Sequence, residues 1–226
     1  MNKYLLTLIR WLSCCLILFI GGCGNSSTYN TYIPTKEDSL AKLAVAKRAF
    51  IQIALIKDSI QDGDIITRTG NDFTSESLRS LNQRDKTYSH CGIASIEHDS
   101  VFVYHALGGD FNPDQKIRRD PVEEFAEPFS NKGIGIFRFR VADSIKQNIV
   151  KVARMHYNNA VMFDMDFDLK TDDRMYCAEF VCKTLIKASH NDLSFNHSHI
   201  KDFEFIGVDD IFLHALCRPV ASLVYK

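Results

Sequence analysis

Two short β-like runs, at 90–96 and 101–106, stand four residues apart, and this pairing limits the fold more than any other feature. The second run alternates: Val101, Val103 and His105 fall on one face, and Phe102, Tyr104 and Ala106 on the other. That is the period of a strand. The linker Glu97-His98-Asp99-Ser100 has hairpin length, so an antiparallel pair is expected here. A third β-like run follows at 135–141.

Helical spacing dominates elsewhere. From 35 to about 58, apolar residues recur from Leu40 to Ile56, with Thr35 as N-cap and Asp38 three residues on. Gln61-Asp62-Gly63-Asp64 reads as a turn before Ile65-Ile66, and the polar stretch 67–87 as a loop with a short helix. A helix is expected over 143–157, capped by Asp143 or Ser144. Phe180, Val181, Thr184, Leu185 and Ala188 mark another, of about three turns, starting at Cys177. A helix near 208–216 and a last strand at 221–225 close the chain. The fold class is α+β, an antiparallel sheet packed against helices.

At 226 residues there is room for one domain and an appendage, and 46% hydrophobic residues with 16 Phe supply a core. A net charge of −1 gives no electrostatic case for a nucleic-acid partner, which would call for a basic stripe, and none is expected. Lys3 and Arg10 introduce an apolar run at 11–20, the pattern of a secretory signal; only slightly short of the roughly twenty residues of a membrane span, the run leaves a single membrane-spanning anchor as the alternative. The run ends Ile20-Gly21-Gly22-Cys23-Gly24, which resembles the bacterial lipobox. The resemblance implies a signal peptide at 1–22, acylation of Cys23 and a lipid anchor in the membrane. The product would be an exported bacterial lipoprotein of the cell envelope, and Gly24 rather than Asp after the cysteine favours the outer membrane. A tether at 23–34, an N-terminal helix at 35–60 and a domain at 61–226 would follow. Cys14 and Cys15 would be removed, leaving Cys91, Cys177, Cys182 and Cys217. Cys91 and Cys182 sit in apolar runs, where cysteine behaves as a small hydrophobe, so no disulfide framework is expected.

Cys177 is the candidate nucleophile. A helix N-terminus carries about half a positive charge and unpaired N–H groups, which stabilise the reactive thiolate. His90 opens a strand, the rigid placement a general base needs. His105, on the adjoining strand, is placed to orient it as the third member of a triad. Backbone N–H groups of the first helical turn would hold the oxyanion.

These motifs taken in order are Asp62-Gly63-Asp64-Ile65-Ile66, Tyr88-Ser89-His90-Cys91-Gly92-Ile93, Val103-Tyr104-His105-Ala106, Phe163-Asp164 and Tyr176-Cys177-Ala178-Glu179-Phe180-Val181. The set resembles the YiiX/YebB-like proteins of the NlpC superfamily, circularly permuted papain-like cysteine hydrolases. The resemblance runs from about residue 60 to the C-terminus. It implies the permuted papain-like fold, an amidase or peptidase acting through a Cys177 acyl-enzyme with His90 as base, and no cofactor or metal. Its substrate would be a peptide or acyl group of the envelope, with cell-wall peptides first. Two positions depart from the pattern. The third member, often acidic, is His105, as in lecithin:retinol acyltransferase-like enzymes, and Cys91 stands where small aliphatic residues are usual, which reads as packing.

Competing readings are a non-catalytic peptide- or lipid-binding module on the same fold, a lipid acyl hydrolase or acyltransferase, and a metal-dependent hydrolase built after residue 160. The acidic run Asp164, Asp166, Asp168, Asp172, Asp173 fails the calcium-loop template, because Leu169 and Met175 stand where Gly and Glu are needed. His190, His197 and His199 lack zinc-site spacing and companion cysteines. Glu179 reads as an acid favoured by the helix dipole, and Cys182 as packing.

Overall fold

The computed structural model describes residues 34–109 and 111–226. The signal, Cys23 and nearly all of the tether therefore lie outside the described residues. One compact unit spans Glu37–Lys226. Its centre is a six-stranded antiparallel sheet in the order β4-β3-β2-β1-β5-β8. The strands are β1 (Ile65–Gly70), β2 (His90–Glu97), β3 (Ser100–His105), β4 (Arg118–Pro121), β5 (Asn131–Phe139) and β8 (Cys217–Val224). A small hairpin, β6 (Ser198–Ile200) with β7 (Phe203–Phe205), stands apart from it. The expected hairpin is β2–β3, closed by His98 and Asp99 at φ 48° and 63°. Two positive φ values in succession give a turn whose twist matches that of the strands.

Alternation along the strands feeds two cores. Ile65, Cys91, Ile93, Tyr104 and Phe137 point to the face covered by α4 (Asp143–Asn158) and α5 (Cys177–Ala188). Ile66, Ala94, Val103, Ile134 and Ile136 point to the other, against Ile53 of α1 (Lys36–Lys57) and Phe125 of α3 (Val122–Phe125). With both faces covered, β1 runs on through Thr67-Arg68-Thr69, where polar composition predicts a loop. Being the strand between β2 and β5 decides this: pairing on both sides overrides polar composition.

The short helix of the 67–87 stretch is α2 (Phe73–Leu81), capped by Asp72, whose carboxylate accepts from Ser75 N at 2.8 Å. The cap expected at Asp143 or Ser144 falls instead on Ala142, extended at φ −60° and ψ 151°. Asp143 is already helical and pairs with Lys146 at 2.8 Å. The helix expected at 208–216 is only α6 (Val208–Phe212). Among the described residues, no helix is long and apolar enough to cross a membrane.

Candidate active site

Helix α5 begins at Cys177, with Tyr176 as N-cap. Glu179, fully buried, accepts from Tyr176 N at 3.2 Å and pairs with Lys183 at 2.9 Å. Burial nevertheless pushes the Glu179 carboxyl up to about 7. Cys177 is nearly buried and rests against Cys91 of β2. A hydrogen bond from the Cys91 thiol lowers the Cys177 pKa; burial opposes this, and the N–H groups of Cys91 and Ala178 and the Arg68 charge reinforce it. Burial drives the Cys91 thiol the other way, well above its usual value. Burial takes Cys182 and Cys217 up to about 12, and all four described cysteines are free thiols.

His90 and His105 come together on the sheet face opposite α5. His90 Nε2 lies 2.9 Å from His105 Nδ1, and His105 Nε2 lies 2.9 Å from Asp120 Oδ2. Gly92 makes the first contact feasible. A Cβ there would sit 2.9 Å from His105 Cβ and 2.6 Å from the Tyr104 carbonyl oxygen, so a side chain would push β3 away. Phe125 backs both imidazoles, with ring centroids 5.6 Å from His90 and 5.0 Å from His105. Arg68 lies over the same ring at 4.7 Å and donates to the Phe125 carbonyl at 2.8 Å.

Burial, with the charges of Arg68, His105 and Arg118, holds His90 well below its usual pKa. Burial brings His105 to about 4 against the pull of Asp120. Both rings are neutral near pH 7. Burial works to raise Asp120, but hydrogen bonds from His105 and Arg118, the latter at 2.8 Å, keep it below its usual value.

The sequence reading placed His90, His105 and Cys177 in one neighbourhood, and all three feel the Arg68 charge. Among the described residues no hydrogen bond joins His90 to Cys177. Their link is through the chain, since Cys91, which touches Cys177, follows His90. Asp120, Arg68 and Phe125 were missed. The only signal for Asp120 was the acid that the resembled family often carries in third place; here it stands behind His105.

A narrow slot opens beside Cys177, between α2, the Phe167 loop and the start of α6. A larger groove, lined by His156, Lys183 and Lys187, contains none of the three candidate residues. The acidic run is explained locally: Asp164 accepts from Asp166 N at 2.9 Å and Asp168 N at 2.6 Å, tying its loop.

The family model for permuted papain-like amidase enzymes, YaeF/YiiX, C92 family, matches residues 59–199. The chain belongs to this family. Membership makes it a cysteine hydrolase of the amidase or peptidase type. No curated protein matches the chain. Solved structures similar to it include one titled metalloprotein yiiX from Escherichia coli O157:H7. That structure matches at 18% identity with a TM-score of 0.59, covering 73% of this chain and 98% of the other. It bears out the YiiX-like permuted papain fold. Its title calls that protein a metalloprotein; among the described residues here, no group of three or more His, Cys, Asp or Glu is arranged to hold a metal ion.

Proposed function

We propose that Cys177 is the nucleophile, His90 the general base, and His105 with Asp120 the pair that orients His90. The observation that carries this reading is the line His90–His105–Asp120. Asp120 is ionised and can only accept, so His105 Nε2 carries the proton and Nδ1 is bare. His90 Nε2 must then donate to His105, which leaves His90 Nδ1 unprotonated and free to act as base.

In the first step His90 Nδ1 takes the Cys177 proton as sulfur bonds to the substrate carbonyl carbon. The oxyanion is held by N–H groups at the start of α5. Collapse breaks the bond to the amine or alcohol, which leaves with the proton from His90, and a thioester remains. Water, deprotonated by His90, then attacks the thioester and Cys177 recovers its proton. With His90 neutral at rest, the thiol is activated by proton transfer during attack, assisted by the donors around its sulfur.

The test is alkylation of the full chain by iodoacetamide across pH, mapped by mass spectrometry. Cys177 is expected to react selectively below the usual thiol pKa of about 8.5 and to lose that reactivity in His90→Ala. Equal reactivity of Cys177, Cys182 and Cys217 overturns the assignment. We further propose that Cys23 is lipidated and that the enzyme works in the cell envelope, on amide or ester bonds of cell-wall peptides or lipids. Loss of fatty-acid labelling in Cys23→Ser is the expected result; labelling retained in that variant refutes the anchor.

A further inference from the structure

We infer that the outward face of α1 lies on the lipid bilayer, its apolar stripe set into the headgroup region beside the anchor. The inference rests on acylation of Cys23 and goes beyond it. An anchor alone only tethers the chain, whereas this contact decides which side of the domain faces the membrane.

Helix α1 is apolar on two opposite sides. Ala46, Ala49 and Ile53 are buried, and Ile53 packs with Ile66 and Phe125 in the core on that side of the sheet. Away from the sheet, Leu40, Leu43, Ile51 and Leu55 recur at the spacing of one helix face. They are 55%, 56%, 55% and 72% exposed. A helix that is apolar all round is normally covered all round, and the domain covers one side of α1. Phe50 extends the open side to Phe129, with 6.3 Å between ring centroids, and both rings are exposed. Single exposed apolar residues call for no partner, but a contiguous stripe marks a contact surface.

Two features select the bilayer as that partner. The first is chain length. Twelve residues separate Cys23 from Lys36, so even a fully extended link holds the start of α1 within about 45 Å of an acylated Cys23. The second is charge. The helix carries Lys36, Lys42, Lys47, Arg48 and Lys57 against Glu37 and Asp38, a bias that suits an anionic lipid surface. Lys47 stands midway along the stripe. On a bilayer its stem lies along apolar surface while the ammonium reaches the phosphates. A twofold pairing of two copies centred on the stripe would instead set Lys47 against Lys47, two like charges in an apolar seam. An interfacial helix of this kind sinks about 5–10 Å into the boundary between headgroups and acyl chains.

Trp11 is the only tryptophan and lies within the expected signal, so in the mature chain Ile51→Trp is a single emitter on the stripe. Tyr157→Trp is its control, half-exposed on α4, which covers the opposite face of the sheet. Each mature, acylated protein is reconstituted into vesicles of phosphatidylethanolamine and phosphatidylglycerol with plain or brominated acyl chains, and thermal unfolding checks that it is folded. Bromines are expected to quench Ile51→Trp at least about threefold more than Tyr157→Trp. Adding Leu40→Gln and Leu55→Gln to the Ile51→Trp chain should cut that quenching by about half or more, because apolar area is what holds the stripe in place. Equal quenching of the two reporters in an acylated protein overturns the inference and leaves the anchor intact. So does Ile51→Trp emission that is shielded yet unquenched in a protein whose mass doubles with concentration, the signature of a second copy on the stripe. Mass spectrometry of the N-terminal peptide reads the acyl group separately. If Cys23 carries none, the anchor reading has failed, and this inference with it.

Discussion

Asp120→Asn tests the proton line most sharply, because it changes one atom and leaves shape and size intact. In the wild type, Asp120 Oδ2 accepts from both His105 Nε2 and Arg118. An amide oxygen placed where Oδ2 stands has two lone pairs and keeps both bonds, so the tautomers stay as they are and only the negative charge is lost. Charge-assisted hydrogen bonds are roughly twice as strong as neutral ones, and a bond to a charged group is worth about 1.5–3 kcal/mol. Losing the charge therefore weakens the hold on His105, and through it on His90, by about 1–2 kcal/mol, or about five- to thirtyfold in rate at 1.36 kcal/mol per decade. Turnover of an activated p-nitrophenyl ester by Asp120→Asn is expected to fall by about that factor, and by more in Asp120→Ala, which removes both bonds. Thermal unfolding would confirm that both variants are folded. An Asp120→Asn enzyme within twofold of wild type, alongside a crippled His90→Ala, would refute the role given to the Asp120 charge.

Gly92→Ala should lower the same ester turnover at least tenfold and destabilise the fold by about 1–3 kcal/mol, the usual cost of overpacking. The added Cβ would meet the Tyr104 carbonyl oxygen and His105 Cβ, at 2.6 and 2.9 Å; unchanged turnover and melting would contradict that contact. At pH 7, iodoacetamide is expected to spare Cys182 and Cys217, whose thiols are held near 12, and readout by mass spectrometry would expose any exception. Stability should fall on acidification. His105 titrates at about 4 when folded and about 6.5 when unfolded, so the unfolded chain takes up the proton first as pH drops below about 6.5. The loss from this group is about 2 kcal/mol between pH 7 and pH 5, continuing until the folded pKa is passed. Urea unfolding at the two pH values measures it, and His105→Gln should show a correspondingly smaller difference.

Local signals made the hairpin and helix α5 legible. Alternation from Val101 to Ala106 and a hairpin-length linker specify β2–β3 without help from the rest of the chain. The spacing of Phe180, Val181, Leu185 and Ala188 does the same for α5. Thr67-Arg68-Thr69 could not be read as a strand, because what makes it one is its two neighbours. Asp120 was hidden for a related reason. It sits in the four-residue strand Arg118–Pro121, too short and too charged to carry a period. Its importance comes from Val103 pairing with it, a contact between strands and not within one. Ala142 has no side-chain donor or acceptor to announce a cap, so the helix start was displaced to the nearest polar residues.

His90 and Cys91 are consecutive on one strand and must therefore look in opposite directions. The imidazole line lies over the Phe125 side of the sheet; the thiol and its slot lie on the α5 side. In the proposed mechanism the proton passes from the thiol to the imidazole at the end of the sheet where β2 begins. The Asp120 carboxylate that orients the line stands on the strand beyond β3, away from the slot, so substitutions there can change proton transfer without touching the residues that line the substrate side.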